Sequence, residues 1–206
     1  MDKDILKDLN EEQKKAVLNT DGPMIILAGA GSGKTRVLTY KVIYLIREKN
    51  IDPQNILMVT FTNKAANEMK ERIQKLSNQT DRPLIGTFHS LCARILRIEG
   101  KNIGFSEKFT IYDTSDSVDA IKEAMARANI STKDFKPYSV HATISQAKNQ
   151  LINDLEYLSL ARGYFQENVA KIYPLYQRVL KENNALDFDD LILRTIELFE
   201  KNPQIL

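Results

Sequence analysis

The chain contains a single cysteine, Cys92, which excludes an intrachain disulfide framework and a cysteine-based zinc site. The two histidines, His89 and His141, are too few to restore a metal centre. Charge of one sign is also lacking. The formal net charge is only +2, so a nucleic-acid partner would need a local patch, not a global basic bias. No apolar run approaches the ~20 residues of a membrane span. The opening Met1-Asp2-Lys3-Asp4 carries no apolar signal region, so the expected location is the cytoplasm. Internal repeats and low-complexity linkers are missing too. What is present is ordinary: 43% hydrophobic and 27% charged residues permit a buried core and argue against wholesale disorder.

The pattern changes along the chain. From Pro23 to about Phe88, short apolar runs alternate with helical stretches. Met24–Ala28, Ile56–Phe61 and Leu84–Thr87 are expected as strands, with helices over Gly33–Arg47 and Asn63–Leu76. That alternation implies a parallel sheet with crossover helices, and near-continuous apolar strands fit a sheet covered on both faces. After about Cys92 the pattern is mostly helical: Ser115–Ala128, Ser139–Gln150, Tyr164–Glu182 and Phe188–Glu200. Phe109–Tyr112 alternates and is expected to be extended, with Asp113 or Thr114 capping the next helix.

The most informative segment is Ala28-Gly29-Ala30-Gly31-Ser32-Gly33-Lys34-Thr35, entered by an apolar run and left through a helix. That context is what a phosphate-binding loop requires. The glycines let backbone N–H groups turn inward around a polyphosphate, and the helix N-terminus adds positive potential. Lys34 would reach the β- and γ-phosphates and Thr35 would offer its hydroxyl to Mg2+. Ala28 stands where the strict pattern has glycine, so the loop is a variant. Upstream, Leu9-Asn10-Glu11-Glu12-Gln13 opens a short amphipathic helix. Asn10 suits its N-cap and Gln13 the partner position of a capping box. An amide such as Gln13 is also suited to the adenine edge, since it both donates and accepts.

Leu9-Asn10 to Gln13, the loop through Arg36, Val59–Ala66 (Val-Thr-Phe-Thr-Asn-Lys-Ala-Ala) and Gly86-Thr87-Phe88-His89-Ser90 follow one another in that order. Together they resemble the first motifs of superfamily 1 DNA helicases of the UvrD, PcrA and Rep type. Ala185–Ile192 (Ala-Leu-Asp-Phe-Asp-Asp-Leu-Ile) also resembles the stretch those proteins carry ahead of their Walker B strand. The resemblance implies an α/β, RecA-like P-loop NTPase subdomain, incomplete, with a mostly helical inserted subdomain. It places the first part of the motor at residues 1–91, the insert at 92–186 and a return towards the motor at 187–206.

Several site residues follow from the same resemblance. ATP and Mg2+ are the expected cofactors, held by Gln13, Ala28 to Gly33, Lys34, Thr35 and Arg36, with Arg36 stacked on adenine. Single-stranded DNA would be held by Phe61, Thr62 and Asn63 after one strand and by Thr87, His89 and Ser90 after the next. Physics agrees: a phenyl face suits a base, while hydroxyls, amides and imidazole suit phosphate. Lys64, Lys70, Arg72, Arg94 and Arg97 add positive charge, diluted by Glu68, Glu71 and Glu99. In the helical part, which the family lays over a single-strand/duplex junction, Tyr138, His141, Lys148, Tyr164 and Phe165 are candidate contacts, against ordinary helix surface and core.

ATP hydrolysis needs a carboxylate for Mg2+ and another to orient water, usually from an aliphatic strand ending in Asp-Glu. Asp189-Asp190 follow Ala-Leu-Asp-Phe, which suits a helix start better, and Asp113 suits a cap. In the family the Walker B segment lies just beyond the equivalent of Leu206, and the second motor domain is the further partner. The expectation is a fragment inactive in hydrolysis and unwinding, prone to self-association through uncovered apolar strand. Two other functions stay open: a nucleotide-gated DNA-binding module that never hydrolyses, and a small phosphotransferase with a helical lid.

Overall fold

The computed structural model of the chain describes residues 5–29, 31–77 and 83–206. It divides into two units, Met1–Phe88 and His89–Leu206.

In the first unit, helix α1 (Glu11–Leu18) starts at the capping box expected from sequence. Asn10 Oδ1 accepts from the Gln13 N–H at 2.9 Å and Gln13 Oε1 accepts from the Asn10 N–H at 3.2 Å. Val17 on its inner face is buried with Leu9, Val37 and Tyr40. Helix α2 (Lys34–Arg47) starts directly after Gly33, whose φ of +88° is a left-handed value that favours glycine. Strand β1 (Leu57–Thr60), helix α3 (Asn63–Leu76) and strand β2 (Leu84–Thr87) form a parallel pair with α3 as the crossover. The register sets Leu57 opposite Leu84 and Thr60 opposite Thr87, so both strands end at one edge. Ala66, Met69 and Ile73 of α3 pack with Val42, Ile43 and Ile46 of α2 against Met58 and Ile85 of the strands. Helical and strand periodicities thus meet in one core.

One expected strand does not form. Met24–Ala28 has no strand partner among the described residues, and Ile25 and Leu27 are 86% and 92% exposed. An apolar run specifies a surface to be covered; it becomes a strand only when another strand completes its hydrogen bonds.

The second unit contains most of α4 (Phe88–Glu99), then β3 (Thr110–Tyr112), α5 (Thr114–Arg127), α6 (Pro137–Asn149), α7 (Asp154–Leu160), α8 (Tyr164–Glu182), β4 (Ala185–Asp187) and α9 (Phe188–Lys201). Asp113 caps α5, accepting from the Ser115 and Asp116 N–H groups. Helices α5, α6 and α8 enclose Ile121, Met125, Ile144, Ile172, Tyr173 and Tyr176. Leu96 of α4, Phe109, Leu186 of β4 and Leu191 and Leu198 of α9 form a second cluster. Strands β3 and β4 pair in parallel, Thr110 opposite Ala185 and Tyr112 opposite Asp187. No helix among the described residues is long and apolar enough to cross a membrane.

Candidate functional site

Gly31 and Gly33 both adopt left-handed backbone, at φ +75° and +88°, and Gly33 hands the chain to the N-terminus of α2. The first turn of α2 contains no acidic residue, so its positive end is left for an external anion. Lys34 folds back over the loop. Its ammonium donates to the Ala28 and Gly29 carbonyls at 2.6 and 2.8 Å. The Ser32 hydroxyl donates to the same Gly29 carbonyl at 2.7 Å. A polyphosphate would compete with these carbonyls for the ammonium. Ala30, named with the loop from sequence, lies outside the described residues.

Gln13 has two tasks. While its Oε1 closes the α1 cap, its Nε2 donates to the Ser32 carbonyl at 3.1 Å. A Cβ built on Gly33 would stand 2.8 Å from Gln13 Nε2 and 3.7 Å from Arg36 Cβ. Gln13 and the stem of Arg36 therefore both stand beside Gly33. The Arg36 guanidinium lies 5.5 Å from the centroid of the Tyr40 ring. A cleft of about 480 Å³ beside the loop is lined by Gln13, Ala28, Ser32, Lys34 and Val37, among others, a size suited to a small ligand. A second, of about 380 Å³, is lined by Met24, Ile26, Lys34 and Lys41. Burial lowers the pKa of Lys41, whose ammonium donates to the Ala16 and Asn19 carbonyls.

The loop's donors fit a nucleotide polyphosphate. For Mg2+ the chain shows Thr35 at the start of α2, and no cluster of three His, Cys, Asp or Glu side chains able to hold a metal occurs among the described residues.

At the ends of β1 and β2 the structure brings two motifs together. Phe61 follows β1 and is 89% exposed, against the usual fate of a phenylalanine. Its ring lies 5.7 Å from that of Phe88, the residue after β2. Phe88 was not singled out from sequence, although an aromatic directly after each strand was a visible signal. Thr62 caps α3 by accepting from the Ala65 N–H at 3.2 Å, and Asn63 is exposed beside it. Thr87 is buried within β2, unlike Phe61. In the second unit, Ser90 is exposed and the half-buried His89 ring meets Phe188 edge-on at 5.6 Å. Nothing local in sequence marks Phe188.

Residues 9–206 match the model of the UvrD/REP helicase N-terminal domain. The chain belongs to that family. It is 48% identical over 203 residues to the ATP-dependent DNA helicase PcrA of Bacillus subtilis (strain 168). The same identity and span hold for the ATP-dependent DNA helicase PcrA of Staphylococcus aureus (strain Mu50). Each match covers 98% of this chain and 28% of the relative's length.

Within this UvrD/REP domain, one candidate DNA contact takes the alternative reading of core. Lys148 is buried, its side chain 0% exposed, with Nζ 2.6 Å from Asp187 Oδ2 and 3.0 Å from Asp190 Oδ2. Tyr176 Oη donates to Asp187 Oδ2 at 2.7 Å, and Asp187 Oδ1 caps α9 by accepting from the Asp190 N–H at 2.7 Å. Asp190 is therefore the fixed partner of a buried lysine, and its N–H is the donor to the Asp187 cap, consistent with a helix start. Tyr138 and Tyr164 are exposed, His141 is half-buried and Phe165 packs against the helical core.

Proposed function

We propose that this chain is the ATP-binding and single-stranded-DNA-binding amino-terminal part of an ATP-dependent 3'-5' DNA helicase or translocase. On this reading residues 1–91 begin an incomplete RecA-like P-loop motor subdomain, 92–186 are its helical insert and 187–206 return towards it. The observation that supports it most is the loop itself. Two left-handed glycines, a helix N-terminus without acid and a lysine turned over the loop carbonyls form a polyphosphate cradle.

Bound ATP supplies the phosphoryl bond whose hydrolysis powers movement. Lys34 leaves the Ala28 and Gly29 carbonyls to neutralise the β- and γ-phosphates, and Thr35 offers its hydroxyl to Mg2+. Gln13 reads the adenine edge once its Nε2 leaves the Ser32 carbonyl, and Arg36 supplies a flat platform for the ring. Exposed Phe61 stacks on a base, while Thr62, Asn63, Thr87, His89 and Ser90 hold the strand's phosphates. The helical insert faces the single-strand/duplex junction, the second motor domain completes the groove, and the protein works in the cytoplasm. The chain spans 28% of its relatives' length, and the carboxylates that complete hydrolysis come from the remainder. We therefore expect negligible turnover and no unwinding from these residues alone.

The test is binding of a fluorescent single-stranded oligonucleotide across a salt series, beside binding of a fluorescent ATP analogue. Salt-sensitive DNA binding weakened by Phe61→Ala and His89→Ala, and nucleotide binding abolished by Lys34→Ala, would support the assignment. Robust DNA-stimulated hydrolysis by the 206-residue chain would refute the inactive-fragment part. Nucleotide binding indifferent to Lys34→Ala would refute the loop.

A further inference from the structure

Arg36 is exposed, and the flat guanidinium of an arginine on a flexible stem makes a poor stacking platform unless something holds it. In this structure Tyr40, one turn further along α2, does so. The guanidinium carbon lies 5.5 Å from the centroid of the Tyr40 ring, within the range of a cation–π contact. The ring is itself fixed. Tyr40 is 8% exposed, packed with Leu9, Val17 and Val37, and its hydroxyl donates to Asp8 Oδ2 at 3.2 Å. A guanidinium has two faces. With one turned to a buried ring, the other is left for a base, and the stem of Arg36 starts beside Gly33, whose other neighbour is the Gln13 amide.

We propose that Tyr40 is a positioning residue for nucleotide binding, holding Arg36 flat before the adenine arrives. The proposal rests on the reading of Arg36 as the adenine platform. It makes the Tyr40 ring the link between the buried cluster of Leu9, Val17 and Val37 and the Arg36 guanidinium. Tyr40 touches no phosphate and is expected to leave the loop's grip on phosphate unchanged. Its contribution is to the base alone, and it acts only through Arg36.

The experiment is displacement of a fluorescent ATP analogue from the 206-residue chain by ATP and, separately, by inorganic tripolyphosphate, which has no base. Tyr40→Leu is expected to weaken ATP about two- to fivefold, the range of an exposed cation–π contact, with tripolyphosphate unchanged. Tyr40→Phe keeps the ring and should restore ATP affinity to that of the unaltered chain. Arg36→Ala should weaken ATP at least as much, and Tyr40→Leu should cost nothing further in that background. Should Tyr40→Leu lower the melting temperature, Tyr40→Met takes its place in the same cycle.

Equal losses in both backgrounds, or a parallel loss for tripolyphosphate, would mean that the ring serves the fold and would overturn the proposal. Loss on Arg36→Ala but none on Tyr40→Leu would also overturn it while leaving the adenine platform standing. No loss on Arg36→Ala would remove the platform, and the proposal with it. No nucleotide bound to the unaltered chain would remove the phosphate-loop reading as well.

Discussion

Replacing Lys148 by methionine should be among the most destabilising changes available in the second unit, and its cost should depend on pH in a defined direction. The Lys148 ammonium lies between two carboxylates that are 4% and 1% exposed, so its removal leaves two buried negative charges without their shared cation. Breaking a buried ion pair in this one-sided way costs about 3–5 kcal/mol, in contrast to replacing every member by apolar groups. At about 2–4 °C per kcal/mol for a chain of this size, the melting temperature should fall by roughly 6–20 °C near neutral pH.

The sign of the pH dependence follows from each group. Burial acts most strongly to lower the Lys148 pKa, but the charges of Asp190 and Asp187 outweigh it and leave it raised. Its contribution is therefore complete below its unfolded pKa of about 10.4 and lost only as pH rises through the higher folded value. Burial acts most strongly to raise Asp187, but the Lys148 charge and hydrogen bonds from Lys148, Tyr176 and the Asp190 N–H hold it below its ordinary value. That contribution is present above the unfolded pKa and lost as pH falls through the folded one. Asp190 is raised, first by burial and then by the Asp187 charge against the pull of Lys148. Its ionised form costs stability, and protonation relieves that cost. Without Lys148 the burden on Asp190 grows, so the variant should gain stability relative to the unaltered chain as pH falls from about 8 to about 5. The slope is at most about 1.4 kcal/mol per pH unit for each proton bound only in the native state. Thermal melts followed by circular dichroism at both ends of that range measure it. A melting temperature within about 2 °C of the unaltered chain, or a deficit equal at both ends, would refute the reasoning.

Asp187→Asn should destabilise more than Asp190→Asn, because Asp187 alone accepts from Lys148, from Tyr176 and from the first turn of α9; equal urea midpoints would contradict this. Gly33→Ala should cost about 1–2 kcal/mol for a left-handed alanine and should weaken ATP binding by displacing the Gln13 amide, which its Cβ would meet at 2.8 Å; ATP affinity equal to that of the unaltered chain would speak against the cradle. Leu27, 92% exposed in an unpaired apolar run, should promote self-association at high concentration; sedimentation should show Leu27→Asp more monomeric, and identical profiles would dismiss the exposed run as the cause.

Much of the fold was legible because its signals are local. The capping box at Asn10 and the cap at Asp113 need only nearby residues, and the helices Asn63–Leu76 and Tyr164–Glu182 were bounded correctly by periodicity and breaks. The order of motifs was likewise a linear property, and the family match over residues 9–206 agrees with it. Illegible features were those whose cause is distant in sequence. Strand β4 has three residues, too few for a periodicity, and exists because β3 pairs with it from residues 110–112. Lys148 was a candidate DNA contact weighed against ordinary helix surface and core, and the partner that decides for core, Asp187, is 39 residues away.

Met24–Ala28 and Lys148 are opposite cases of one rule. Burial is decided by what comes to lie against a residue, not by what the residue is. Ile25 and Leu27 have the composition of a core strand and stand open, since nothing among the described residues pairs with them. Lys148 has the composition of a surface and is closed in, since two carboxylates and a phenol ring surround it. The same rule explains why the proposed nucleotide site was easier to read than its supports. On the proposed reading the loop would meet its ligand through backbone geometry that glycines announce in sequence. Tyr40 and Asp8, by contrast, meet across 32 residues of chain, and nothing in either one's neighbours announces the other.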